Sequence, residues 1–467
     1  MSAKRRAFTE RREIVGYSQQ KLARALGVET TTVGRWERGE TSPQPSCRPK
    51  LADALSVSVE ELDIMLAEGR PVHGGGPSSS ELRDGGEPLD LDAVQELPVD
   101  PERDPVLASR WNHRGTVEAA VVLRGGGEPV ERRVFVFLGG VGLTAPAHQW
   151  LVREPGPLVS GLSGRRVSAG LAQRLTAMVA ELRKLDDVAG GGSVLALARQ
   201  EFGWVAGLLD QAIYDEQTGR ALHVVLAELG QLCGWSAYDT GHHGLAQRFY
   251  VAALRAAHSA DDRPLGGHIL ASMACQAIRL GRPADAVTLI DTALAGTRGR
   301  QTPALLAELH MRRAEASAGL RDTSAYTAAI SQARTQVERL TPDGEPPWLY
   351  WVSPAGITGI AGLSLLQLGQ SDHAVTMLTE GIAQLDESFV RDRQFLVTHL
   401  ASAHARPGKQ HDLHVAAGLG MESLDLAESL DSATGLGLGD LYHQLKSHAE
   451  VPAVRDFLER ARGFVTV

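Results

Sequence analysis

Residues 17–39 read YSQQKLARALGVETTTVGRWERG, and their reading decides the fold of the N-terminal part of the chain. Leu22, Ala23, Leu26, Val33 and Trp36 recur at helical spacing on either side of Gly27-Val28. That pattern predicts two short helices, about 18–26 and 30–38, joined by a tight turn. Ser18 stands where an N-cap belongs, Gly27 follows Leu26 as a C-cap glycine would, and Thr30 is placed to cap the second helix. Burying Val33 and Trp36 leaves Thr31 and Arg35 one turn apart on the opposite face, with Thr30 beside them. These side chains suit base edges in a DNA groove. Arginine can present two donors to guanine O6 and N7, and threonine offers a hydroxyl and a methyl to a thymine edge. Gln19 and the helix N-terminus can donate to phosphate, which sets register without reading sequence. Gly34 costs its helix on the order of 1 kcal/mol, and is either space left against DNA or a tolerated exposed position.

The pattern SQQxLAxxLGVxxxTVxRWERG, followed by SPQP and LADALSVSVEEL, resembles the helix-turn-helix of the Cro/phage-repressor (XRE) family over about residues 5–66. The resemblance implies a five-helix DNA-binding domain, placed at residues 1–68. It implies that Gln19, helped by Gln20, anchors a phosphate, that Thr30, Thr31 and Arg35 read bases, and that Arg38, Thr41 and Ser42 meet the DNA backbone. Thr32, on the same helix, completes the expected DNA-binding set.

A chain of 467 residues allows two to four domains at ~100–200 residues each. With 43% hydrophobic and 22% charged residues it has the balance of a folded globular protein. No apolar run approaches the ~20 residues of a membrane span, and MSAKRRAFTERRE lacks the apolar stretch of a signal peptide. The expectation is a cytoplasmic protein without a membrane partner. Cys47, Cys233 and Cys275 are too few and too scattered for a disulfide framework or a metal site, and are expected to be reduced and mostly buried. Residues 1–50 carry a net charge of +6 against -15 for the rest, a basic head on an acidic body that fits a local nucleic-acid contact.

The body opens with a Gly-, Pro-, Ser- and acid-rich stretch, 69–106, read as part of a flexible linker spanning 69–110. Its HGGG has no accompanying GxSxG and so is no hydrolase loop. Residues 111–166 are expected to contain a small β-hairpin, with strands at about 116–124 and 131–138 flanking RGGGEP. The GGVGL after it lacks the context of a phosphate-binding loop. Residues 167–467 read as helical, Ala- and Leu-rich and internally repetitive: LGRPADAVTLI from Leu280 resembles LGQSDHAVTML from Leu368, and GHHGLAQRFY from Gly241 is a looser copy. Gly241, Gly281, Gly319, Gly369 and Gly408 are expected at helix-to-helix turns, and Ala246, Ala286 and Ala374 where helices approach closely. The region resembles tetratricopeptide (TPR)-like repeats over about 220–430, with a period longer than the ~34 residues usual for that family and without its full signature. Helix pairs are expected near 220–258, 264–296, 303–340, 354–385 and 392–430, followed by a closing cap. The resulting fold class is mainly α: an XRE-type head, a linker, a small hairpin and a TPR-like α-solenoid whose stacked pairs leave a concave binding surface.

Candidate chemistry is sparse. His399, His404, His411 and His414 form the best histidine cluster, but Pro407-Gly408 interrupts it and no HExxH occurs, so a metal is not expected. Trp204, Tyr214, Trp235, Tyr238, Phe249 and Tyr250, and the later Trp348, Tyr350 and Trp351, read as packing residues before ligand-pocket walls. No nucleophile is paired with a base, so neither catalysis nor a cofactor is expected. The combination resembles XRE regulators with a TPR-like body of the actinomycete type. It implies a DNA-binding transcriptional regulator, a homodimer on double-stranded DNA, whose repeats dimerise or take a peptide, protein or small-molecule signal. The alternative is a repeat-based interaction scaffold whose head is not the main functional site.

Overall fold

Ser18 Oγ accepts the Lys21 amide (3.1 Å) at the start of the first helix in the computed structural model, α1, Gln19–Leu26. The structure describes residues 9, 12, 17–26, 28, 30–37, 41, 43, 48–55, 104–124, 138–156, 158, 166–341, 344–428, 430 and 437–465. The chain divides into two units, Met1–Asp90 and Leu91–Val467.

In the first unit α1 ends where the Val28 N–H reaches back to Ala23 O (3.0 Å), a bond that closes a helix around its C-cap; Gly27 itself is outside the described residues. Next come α2, Thr30–Glu37, and α3, Arg48–Leu55. Thr30 is the first helical residue of α2, one place further in than a cap. Leu22, Val33, Leu51 and Leu55 are fully buried and Trp36 is 4% exposed, forming one core flanked by Tyr17, Leu26 and Val28. Thr9 and Arg12 are also helical, while the rest of the first and fifth expected helices falls outside the described residues.

The second unit begins earlier than the linker reading allows. Asp104 caps the short α4, Pro105–Ala108, and is itself buried in an ion pair with Arg248 (2.8 Å). The first arm of the expected hairpin is a helix, α5, His113–Arg124; residues 131–137 of the second arm lie outside the described residues. Residues are buried here in adjacent couples, Thr116 with Val117 and Ala119 with Ala120, which the two-residue period of a one-sided strand does not permit. β-branched residues disfavour a helix by only tenths of a kcal/mol, and burying this face against the body outweighs that. Thr116 Oγ1 also bonds Ser259 Oγ (2.9 Å). Among the described residues there is no strand, only an isolated parallel bridge between Arg166 and Ile213.

After α6, Val141–Val152, α7, Ala169–Ala189, and α8, Gly191–Gln211, the helices run as antiparallel pairs. The pairs are α9, Glu216–Asp239, with α10, His243–Ala260; α11, Arg263–Arg279, with α12, Pro283–Gly296; and α13, Pro303–Gly319, with α14, Thr323–Val337. They continue as α15, Pro354–Gln367, with α16, Ser371–Gln384, and α17, Val390–His404, with α18, Leu413–Glu428. The last two helices are α19, Leu438–Leu445, and α20, Pro452–Val465. Side-chain caps start many of them: Asp215, Asp262, Thr302, Asp322 and Ser353 each accept the amide three residues on. Within a pair the turn is made by a left-handed residue, Gly241, Gly281, Arg321 or Gly369. Each of these donates to the carbonyl three residues back, and its successor to the carbonyl five back, at 2.8–3.1 Å. Gly319 is thus not the turn residue: it ends α13, and Arg321 (φ 61°) takes the left-handed place. Gly408 is not left-handed either.

Ala246, Ala286 and Ala374 are completely buried between helices. Trp150 of α6, also completely buried, lays its ring over Gly266 of α11 and Gly296 of α12, where any β-carbon would overlap it. The succession curls back on itself, since Arg391 of α17 pairs with Asp186 of α7 (2.5 Å). No helix among the described residues is long and apolar enough to cross a membrane.

Candidate nucleic-acid interface

Amphipathicity orients α2. Val33, Gly34, Trp36 and Glu37 are buried, whereas Thr30, Thr31 and Arg35 are exposed and Thr32 is half-buried. The face carrying Thr31 and Arg35 is therefore opposite the one that Val33 and Trp36 commit to the core. Gly34 is buried, so neither an open space against DNA nor an exposed position describes it. Gln20 is exposed at the start of α1 beside half-buried Gln19. Thr41 is half-buried, its amide reaching the Arg35 carbonyl at 3.5 Å, while Arg38 and Ser42 lie outside the described residues.

Sequence reasoning missed the ionic centre behind this face. Glu37, on the buried side of α2, accepts from Arg12 Nε at 2.6 Å with Oε1, and from the Gln19 amide with Oε2. Arg12 also donates to the Tyr17 carbonyl. One carboxylate thus ties the segment before α1, the N-terminal residue of α1 and the last turn of α2 together. A primary amide has two N–H donors, so Gln19 has a second one beyond the bond to Glu37, at the start of α1. The available signal was Glu37 falling on the buried arc with Val33 and Trp36, since a buried carboxylate requires a partner.

The second unit contains a cavity of about 170 Å³ lined by α7 and by the first helix of each of the five pairs, α9, α11, α13, α15 and α17. Trp235, Tyr238, Trp348, Tyr350 and Trp351, read from the sequence as packing residues first, all line it. Phe249 and Tyr250 are core residues, and Trp204 is 47% exposed. Cys233 and Cys275 are free and buried. His404 and His411 bond backbone carbonyls, of Gln410 and Arg406, and among the described residues no three His, Cys, Asp or Glu side chains are grouped to hold a metal ion.

The helix-turn-helix family profile matches residues 9–62, which contain α1, α2, α3 and the Arg12–Glu37 pair. YazB of Bacillus subtilis (strain 168), whose name describes an uncharacterized HTH-type transcriptional regulator, is 39% identical over 57 residues, 12% of this chain and 78% of that protein. The chain belongs to the XRE helix-turn-helix family. In the XRE domain, α1 and α2 are the two helices of the motif, and the exposed Thr31 and Arg35 stand on its second helix. The XRE match accounts for the N-terminal unit, and the helical body is described by its own structure.

Proposed function

We propose that the protein is a sequence-specific DNA-binding transcriptional regulator that places α2 in the major groove. The observation that carries this reading is the orientation of α2, with Thr31 and Arg35 outward and Val33 and Trp36 in the core. In this reading Arg35 and the threonines Thr30, Thr31 and Thr32 reach base edges, and Gln19, Gln20, Arg38, Thr41 and Ser42 hold the backbone. A single motif reads few bases, so the protein acts as a homodimer on two half-sites about one helical turn apart. The successive helix pairs form a TPR-like body that serves dimerisation and signal sensing, as in the actinomycete-type regulators the sequence resembles. The reading places the protein in the cytoplasm and includes neither a catalytic step nor a cofactor.

Selection of bound sequences from a random duplex pool by the full-length protein, at fixed physiological salt, tests it. The expected result is an enriched inverted repeat. A bound pool indistinguishable from the input would overturn the reading and leave the helical body, as an interaction scaffold, to explain the chain.

A further inference from the structure

The cavity in the second unit has an unbalanced charge inventory. Four guanidiniums line it, and each is already engaged: Arg183 with Glu228 (2.7 Å), Arg279 and Arg312 both with Glu315 (3.1 and 2.5 Å), and Arg391 with Asp186 (2.5 Å). Glu308 is bonded to His268 (2.9 Å), and Asp187 accepts the Tyr350 hydroxyl. Asp239 accepts the Gly191 amide at 3.0 Å. Asp392 also lines the cavity, and among the described residues its carboxylate accepts no hydrogen bond and forms no ion pair. Tyr238, 9% exposed, lines the same space with a hydroxyl that has no hydrogen-bond partner among the described residues. Carboxylates therefore outnumber the arginines along the lining, and Asp392 is the one left without a counter-charge among the described residues, although Arg183 Nη2 and Arg312 Nε are also buried there without a hydrogen-bond partner.

The walls are aromatic. Trp235, Trp348, Trp351, Phe389 and Phe395 surround these groups, and the faces of such rings attract cations. The arginines show that these rings attract cations within the cavity: Arg391 lies over Trp235 at 5.4 Å and Arg312 over Trp351 at 5.8 Å. An anion would enter a lining whose arginines are all ion-paired and whose carboxylates are in excess, and a neutral ligand would leave Asp392 without a counter-charge. Burial pushes the Asp187 carboxyl up to about 6 and raises that of Asp392, as desolvation does where compensating cations are insufficient.

We propose that this cavity is a binding site for a small organic cation, a protonated primary amine on an apolar, ring-sized body, with Asp392 as its counter-ion and the Tyr238 hydroxyl as a second acceptor. The ammonium donates to Asp392 and Tyr238, and the apolar body packs among the tryptophans and Phe395. The same group is presented by a free amine or by the N-terminus of a peptide. That occupancy regulates DNA binding rests on the regulator reading above. The binding itself does not, so the DNA selection and the titration below can fail separately.

Isothermal titration calorimetry of the full-length protein at pH 7.5 tests the site with phenethylamine, with the tripeptide Phe-Ala-Ala amide, and with the neutral and anionic controls 2-phenylethanol and 3-phenylpropanoate. Saturable binding of either ammonium probe, at least about tenfold tighter than both controls, is expected. Preference for the free amine or for the peptide identifies the source and supports the site either way. Asp392→Asn, with thermal unfolding close to that of the native protein, is expected to lose about tenfold or more, and Tyr238→Phe a smaller factor. Binding of neither ammonium probe, binding of the anion as tight as the amine, or full affinity in a folded Asp392→Asn protein would overturn the proposal. Should Asp392→Asn not fold, unchanged affinity in Tyr238→Phe together with loss of discrimination against the alcohol would overturn it as well.

Discussion

Arg35 and Glu37 sit two positions apart on α2 and face opposite ways, one exposed and one buried. Arg35→Ala is expected to cost about 1–3 kcal/mol of specific binding and to relax sequence preference at its own base pair. Competition binding against a panel of single-base operator variants checks this; an unchanged preference would remove Arg35 from base reading. Arg12→Ala belongs to folding instead. It strands the Glu37 carboxylate in the core, a loss of about 3–5 kcal/mol, so hydrogen-exchange protection in α1 and α2 should collapse while that of α9–α18 is retained. Replacing both partners by methionine should restore part of the protection, because no buried charge is then left alone. The exposed face of α2 was legible because periodicity alone assigns it. The Arg12–Glu37 pair was not, because it joins residues 25 apart in sequence and no local pattern carries that distance. Asp392 is illegible for the same reason: its isolation depends on arginines of three other helices, α7, α11 and α13, being already paired.

At the scale of the element, turns and caps explain why the pairs begin and end where they do. Gly281 has φ 72° and open space where a β-carbon would point, so Gly281→Ala isolates the backbone cost. The expected loss is about 1–2 kcal/mol, with Gly281→Asn losing less because asparagine tolerates this conformation. Urea midpoints of the three proteins decide it, and equal midpoints would show that the turn relaxes. The helix pairs were readable because their glycine turns and Asp, Thr or Ser caps are local signals. Arg321 shows the limit of reading turns by glycine, since the same hydrogen-bond pattern holds there with a non-glycine residue. The helix α5 failed to show itself for a different reason. Its valines favour a strand locally, and only the body against which Thr116, Val117 and Ala120 are buried makes a helix the better solution.

Across the whole molecule, buried histidines make stability depend on pH. His223 is completely buried beside His113 (3.0 Å), and burial lowers its pKa from the ordinary 6.5 to about 3. The unfolded chain therefore binds a proton that the folded one refuses. The His223 contribution is complete above about pH 6.5 and is lost progressively as the pH falls toward 3, by about 2 kcal/mol at pH 5. The urea midpoint should fall between pH 7 and pH 5, and His223→Gln should flatten that slope; a flat native profile would contradict the linkage. The Arg391–Asp186 pair has a different consequence. A row of helix pairs that touch only their neighbours behaves as a spring, free to stretch and twist along its length. Joining α17 to α7 turns the spring into a closed ring, in which a push at one pair is felt at both ends of the seam. Cutting that tie from both sides, with Arg391→Met and Asp186→Leu together so that no buried carboxylate is left alone, should leave each pair folded and make the body mechanically soft.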